Sequence, residues 1–159
     1  MIEITNLTKR FGDKVAVDDI TFSVKEGEIM GFLGPNGAGK STTLNILTGF
    51  LSATSGSAKI DGIDVLDDPI GAKKRIGFLP EIPPLYLEMT VKEYLEFAYE
   101  LKGCKLPRKQ HLKEICEVVR ITDVFGRKVK NLSKGYRQRV GIAQALIGNP
   151  KVLIFDEPT

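Results

Sequence analysis

The chain has 159 residues, a size that fits one domain burying roughly 68–70% of its unfolded surface and argues against a large multidomain enzyme. With 42% hydrophobic and 27% charged residues, its composition is that of an ordinary globular protein, which excludes disordered, collagen-like and coiled-coil chains. The 23 basic and 20 acidic residues leave +3, too small an excess to argue by itself for nucleic acid or an anionic membrane.

No apolar run approaches the ~18 residues of a membrane span. Met1-Ile-Glu-Ile lacks a basic segment followed by an apolar one, so no secretory signal is expected. Cys104 and Cys116 form neither a metal spacing nor a redox pair, and a reducing cytosol is the expected setting. In chain order, β-rich runs come first: Ile2–Leu7, Val15–Val24 and Glu28–Leu33, separated by turns at Gly12 and Gly27. The first two suggest an antiparallel flap. The third breaks into Gly34-Pro-Asn-Gly-Ala-Gly39, after which Leu44, Ile46 and Leu47 mark a helix that stops at Gly49. A Ser/Gly-rich turn then leads to Ala58–Ile60 and Ile63–Leu66, a hairpin around Asp61-Gly62, and Arg75–Leu79 reads as a buried strand ended by Pro80.

Thr90 and Glu93 have the spacing of a capping box, and Val91, Tyr94, Leu95, Ala98 and Leu101 repeat at helical intervals. A second helix runs from about Pro107 to Arg120, with Leu112, Ile115, Cys116 and Val119 on one face. His111, the only histidine, falls in the middle of its charged sequence and reads as a surface residue. Leu132-Ser-Lys-Gly-Tyr opens a third helix whose apolar residues cover too wide an arc for a surface helix, so it is expected to be mostly buried. Gly148-Asn-Pro150 ends it before Lys151–Phe155, which reads as a strand buried on both faces.

Gly34-Pro-Asn-Gly-Ala-Gly39-Lys40-Ser41 has two glycines five apart followed by Lys and Ser, the pattern of a phosphate-binding loop. Glycines let successive N–H groups curl around an anion, and the helix that begins there adds its positive end. Lys40 would sit on the β- and γ-phosphates, and the Ser41 hydroxyl would ligate Mg²⁺. Asp156-Glu157, emerging at the C-terminal end of a buried strand, supply a second element: Asp156 to hold Mg²⁺ directly or through water, Glu157 to take a proton from the attacking water. Alone, that pair is equally compatible with a solvated strand end. Between Asp123 and Asp156 there is no Asp or Glu, whereas Arg127, Lys128, Lys130, Lys134, Arg137, Arg139 and Lys151 occur, so a helix N-terminus in a one-signed field could favour an anion.

Leu132-Ser133-Lys-Gly135-Tyr-Arg-Gln138-Arg139 is the third element, and with it the chain resembles the ATP-binding subunits of ABC transporters, whose signature reads Leu-Ser-x-Gly-x-x-Gln-Arg. The resemblance runs the length of the chain. It implies an α/β fold: a P-loop NTPase core with an N-terminal antiparallel β flap and an inserted helical subdomain. Residues 1–85 would form flap and core, 86–148 the helical subdomain with the signature, and 149–159 the Walker B strand. The cofactors implied are ATP and Mg²⁺. ATP would be held by Gly34, Pro35, Asn36, Gly37, Ala38, Gly39, Lys40, Ser41 and Thr42, with Phe11 stacking on adenine, Val17 touching the nucleoside, and Ser133, Gly135 and Gln138 reaching the γ-phosphate of the opposite subunit. Ser41, Asp156 and Glu81 would serve the metal, and Glu157 and Lys40 catalysis. Glu81 departs from the family pattern, which carries Gln there; followed by the Pro-rich stretch Ile82–Tyr86, it resembles the subgroup of exporters whose membrane subunit is a separate chain.

The function so implied is ATP hydrolysis driving transport across a membrane. The partners would be a second ATP-binding domain, docked head to tail, and a transmembrane permease, with no nucleic acid; the location would be peripheral, on the cytoplasmic face. Alternatives are a soluble ABC-type ATPase acting on ribosomes or DNA, a small kinase or GTPase of another phosphate-loop class, and a nucleotide-binding module without turnover. The resemblance also places a further strand between the one before Gly34 and Lys151–Phe155. A chain ending at Thr159 is therefore expected to lack the domain's C-terminal portion and to be marginally stable and catalytically incompetent alone.

Overall fold

The computed structural model describes residues 1–157 and divides into two compact units, Met1–Ile76 and Gly77–Thr159. In the first, β1 (Ile2–Phe11) pairs antiparallel with β2 (Lys14–Val24) on one side and with β3 (Ser55–Ile60) on the other, and β4 (Ile63–Asp64) completes the order β2-β1-β3-β4. Ile4 and Leu7 are three residues apart, so strict alternation would send them to opposite faces, yet both are buried. The irregular register between them resolves this: Asn6 takes φ 47°, donates its backbone N–H to Thr21 Oγ1 (2.8 Å) and its amide to Asp19 Oδ1 (2.9 Å), and the bulge turns Leu7 back into the core beside Ala58 and Ile60. At the β3–β4 hairpin, Asp61 (φ 52°) and Gly62 (φ 78°) both take the left-handed conformation that a two-residue loop demands.

α1 (Lys40–Leu47) packs on β2 and β3 with Ile46 and Leu47 buried, and α2 (Pro69–Arg75) closes the unit. The sequence reading had no helix at α2. Its signal was Asp68-Pro69: the Asp68 carboxylate accepts the Gly71 N–H at 2.8 Å as N-cap, and Pro at the first helical position costs no hydrogen bond.

One expected strand is absent. Glu28–Leu33 has irregular backbone, with Ile29 at 101% and Leu33 at 93% exposure. An apolar run becomes a strand only when neighbouring backbone completes its ladder, and among the described residues no strand pairs with it. Only Phe32 finds an aromatic partner, Phe22, at 5.6 Å.

The second unit is built on α3 (Val91–Leu101), α4 (Arg108–Val118) and α5 (Lys134–Leu146), with β5 (Ile76–Leu79) and β6 (Val152–Phe155) paired beside them. The expected capping box opens α3: Thr90 Oγ1 accepts the Glu93 N–H (3.2 Å) and Glu93 Oε2 accepts the Thr90 N–H (2.7 Å). Val91, Leu95, Leu112, Ile121, Val129, Val140 and Ile147 form one continuous core. α5 is buried only in part, against the expectation of a mostly buried helix: Val140, Gly141, Ala143 and Ala145 in its C-terminal half are buried, whereas Lys134, Gly135 and Arg139 are exposed.

Two further expectations are corrected here. β6 is not buried on both faces: Val152 and Ile154 point to the buried face, but Leu153 is 45% and Phe155 36% exposed on the other, which the described residues leave partly uncovered. His111 is not a surface residue. It is 5% exposed, and its Nε2 accepts the Gly148 N–H at 2.9 Å.

Candidate functional site

The phosphate-loop residues lie in the first unit, between the irregular segment and α1. Gly37 (φ 83°) and Gly39 (φ 88°) take backbone conformations that L side chains rarely adopt, and so the loop curls over a few residues. Gly39 is also pressed from below: a Cβ there would lie 2.2 Å from the Ala16 carbonyl oxygen and 3.1 Å from Val17 Cγ2. β2 thus seats the start of α1, and only glycine fits the seam. Replacing Gly39 with Ala should therefore lower the denaturant midpoint by an amount equivalent to at least ~2 kcal/mol, from strain and overlap together; an unchanged midpoint would refute this packing account.

Lys40 folds back on the loop. Its Nζ donates to the carbonyl oxygens of Gly34 (2.7 Å) and Pro35 (3.0 Å), bracing the residues that the sequence assigns to phosphate. Thr43, buried, ties α1 to the loop through Oγ1 on the Gly39 carbonyl (2.9 Å). Pro35, Asn36, Ala38 and Ser41 are exposed and Thr42 is half-buried. Ser41 falls in the first turn of α1, where the helix N-terminus favours negative charge. Phe11, 48% exposed at the end of β1, carries Lys9 Nζ over its ring at 5.0 Å, whereas Val17 is buried against Gly39.

In the second unit the carboxylates follow β6. The Asp156 N–H donates to the Leu79 carbonyl at 2.9 Å, so the strand pairing reaches the carboxylate itself, and Asp156 is half-buried. Glu157 is exposed and holds φ 48°, a sparsely populated conformation for a residue with a side chain. Glu81 lies exposed in the loop after β5. Among the described residues no three His, Cys, Asp or Glu side chains cluster as a metal cage. Taken unit by unit, the candidate donors are hard oxygens, the Ser41 hydroxyl in the first and the Glu81 and Asp156 carboxylates in the second, and donors of this kind suit Mg²⁺, which keeps waters and takes substrate phosphates rather than an all-protein shell.

The signature residues open α5. Ser133 is its N-cap, with Oγ accepting the Tyr136 N–H at 3.3 Å; Gly135 is exposed, with nothing within 4 Å of the place a Cβ would occupy. Gln138 turns inward, and its Nε2 is buried without a hydrogen-bond partner.

The one-signed field read from the sequence is interrupted by a residue far away in the chain. Backbone bonds from Val129 to Met89 and from Lys130 to Leu87 bring Glu88 between Lys130 (3.0 Å) and Lys128 (3.6 Å). The hydrogen bond and charge of Lys130, with Lys128 behind it, hold the Glu88 carboxyl below its ordinary range. Arg137 and Arg139 are engaged as well, on the carbonyls of Val129 and Lys130 and of Arg120.

The comparisons with known proteins agree with these motifs. The ABC transporter family profile matches residues 17–159, and the chain belongs to this family as an ATP-binding domain. It is 41% identical to the ABC transporter ATP-binding protein YhcH of Bacillus subtilis (strain 168), covering 100% of this chain and 52% of that protein. It is 38% identical to the bacitracin transport ATP-binding protein BcrA of Bacillus licheniformis, over 100% of this chain and 51% of that one. Among solved structures, a dimeric post-hydrolysis state of the ATP-binding cassette MJ0796 bound to ADP and Pi superimposes with TM-score 0.86 at 30% identity, covering 100% of this chain and 75% of that one. The chain spans about half the length of the curated relatives it matches.

Proposed function

We propose that this chain binds MgATP and contributes to its hydrolysis within an ABC-type transporter, as the ATP-binding part of an exporter whose membrane-spanning subunit is a separate chain. The observation that carries the reading is the phosphate loop itself: left-handed Gly37 and Gly39, α1 seated behind them on Ala16 and Val17, and the Lys40 ammonium over the loop. Among the described residues no helix is long and apolar enough to cross a membrane, consistent with a peripheral position on the cytoplasmic face through a membrane partner.

In this reading the backbone N–H groups from Asn36 to Thr42 cradle the phosphates, and Lys40 leaves the Gly34 and Pro35 carbonyls for phosphate oxygen, a stronger, charge-assisted bond. Ser41, Asp156 and Glu81 offer oxygens to Mg²⁺, which when bound neutralises charge on the transferring phosphoryl group. The Glu157 carboxylate accepts the proton of the attacking water and passes it to the solvent to which its side chain is exposed. Phe11 exchanges the Lys9 ammonium for the adenine face. Ser133 and Gly135, exposed at the start of α5, act on the nucleotide of a second copy, head to tail, while Gln138, whose amide turns inward, supports the helix from behind rather than reaching the nucleotide. The similarity to a cassette crystallised as a dimer with ADP and Pi supports that arrangement, and the bacitracin transport relative supports export.

The reading is tested by measuring phosphate release from ATP by the intact protein with and without Mg²⁺. Metal-dependent turnover that rises more than linearly with protein concentration is expected; binding without any turnover, under all concentrations, would leave a nucleotide-binding module instead.

A further inference from the structure

The turn between α5 and β6 joins the helix that carries Ser133 and Gly135 to the strand that carries Asp156 and Glu157. It is short and unusual: Gly148 has φ 85° and Asn149 φ 50°. A helix that ends inside a protein leaves carbonyls that need donors. Here they come from outside the helix. Lys102 Nζ, at the end of α3, donates to the carbonyls of Ile147 (2.9 Å) and Ala145 (3.2 Å), while His111 Nε2, on α4, accepts the Gly148 N–H (2.9 Å). Among the described residues no carboxylate is ion-paired with Lys102; its charge answers the negative end of α5 instead. The far side of the turn is blocked too. A Cβ on Gly77 of β5 would lie 2.1 Å from the Ala145 carbonyl oxygen and 2.9 Å from Pro150 Cγ, so the turn is wedged between β5 and the two side chains.

We propose that Lys102 and His111 are positioning residues that together fix the α5–β6 turn, and through it the register of β6 and the placement of Asp156 and Glu157. The inference rests on the ATPase reading above and adds to it a pair of groups that touch neither nucleotide nor metal. β6 is four residues long, so the turn at its entry sets which residue stands at its exit. A misplacement of the base by about 1 Å is enough to cost up to ~100-fold in rate.

The arrangement requires a neutral imidazole, with the proton on Nδ1 and the Nε2 lone pair on Gly148. Burial pushes the His111 pKa below its ordinary value; Glu114, one turn along α4, opposes this, and Lys102 on α3 adds to it. The turn and β6 present Asn149, Pro150 and Leu153 to this region, none of which titrates. The sign follows. An unfolded His takes up its proton near pH 6.5 and the folded one only at lower pH, so the contribution to stability is full above about 6.5 and is lost as pH falls through the folded pKa. Protonation removes the acceptor and sets a second cation beside Lys102.

The experiment compares the intact protein with His111→Gln, whose amide oxygen can accept from Gly148 but does not titrate, with His111→Leu, which cannot accept, and with Lys102→Met. For each, the ATP Kd, kcat, KM and the hydrogen-exchange rate of the Gly148 amide are followed against pH. His111→Leu and Lys102→Met should lose about tenfold in kcat at neutral pH with KM and ATP Kd within about twofold, and Gly148 should exchange faster. His111→Gln should keep kcat and lack the decline expected of the parent as pH falls through the lowered folded-state pKa of His111. Equal kcat and equal Gly148 exchange in the Leu variant and the parent would overturn the inference with the ATPase reading intact. A parent that binds ATP but never turns it over would overturn both, and unchanged Gly148 exchange would remove the clamp independently of activity.

Discussion

Glu157→Gln in the intact protein should abolish turnover while sparing nucleotide binding. Removing a general base costs on the order of 10²–10⁴ in kcat. Glutamine has the same length and tolerates φ 48° no worse than glutamate, and the side chain is exposed, so stability should stay within about 0.5 kcal/mol of the parent. The ATP Kd should be unchanged, and a nucleotide-bound dimer should accumulate on size exclusion because the step that releases it is blocked. Near-normal phosphate release by the variant would remove Glu157 from the role of base.

Lys40→Ala should weaken nucleotide binding by roughly ten- to a hundredfold, the worth of one charge-assisted hydrogen bond. The structure adds a complication, since Lys40 also braces the Gly34 and Pro35 carbonyls, and truncation removes that brace along with the charge. The two causes separate by ligand. Loss of a phosphate contact falls hardest on ATP and leaves adenosine untouched, whereas collapse of the loop penalises every ligand that crosses it. Equal affinities for ATP in the parent and the variant would sink the phosphate-loop assignment altogether.

What could be read from the sequence was local. The Thr90–Glu93 capping box, the Asp61-Gly62 hairpin and the phosphate loop are each specified by residues within a few positions of one another, and the structure forms all three elements where expected. What could not be read depended on distant backbone. Glu28–Leu33 has the composition of a strand but among the described residues no ladder partner, and β6 has one neighbour where its apolar sequence anticipates two. Glu88 enters the basic region only because the segment around Met89 pairs with Val129. His111 is different, since its signal was present: it sits four positions before Ile115, on the same helical face, and the charged residues on the other face obscured it.

The uncovered run Ile29-Met-Gly-Phe-Leu33 has a further consequence, for the life of the chain in the cell rather than for catalysis. It holds five residues without a charge or a proline, with Ile29 at 101% and Leu33 at 93% exposure, and Leu153 and Phe155 stand partly bare on β6. Such segments are the substrates of chaperones and the seeds of cross-β assembly. Lys25, Glu26 and Glu28 immediately upstream place charge beside this apolar stretch, the arrangement by which flanking gatekeeper residues oppose self-association.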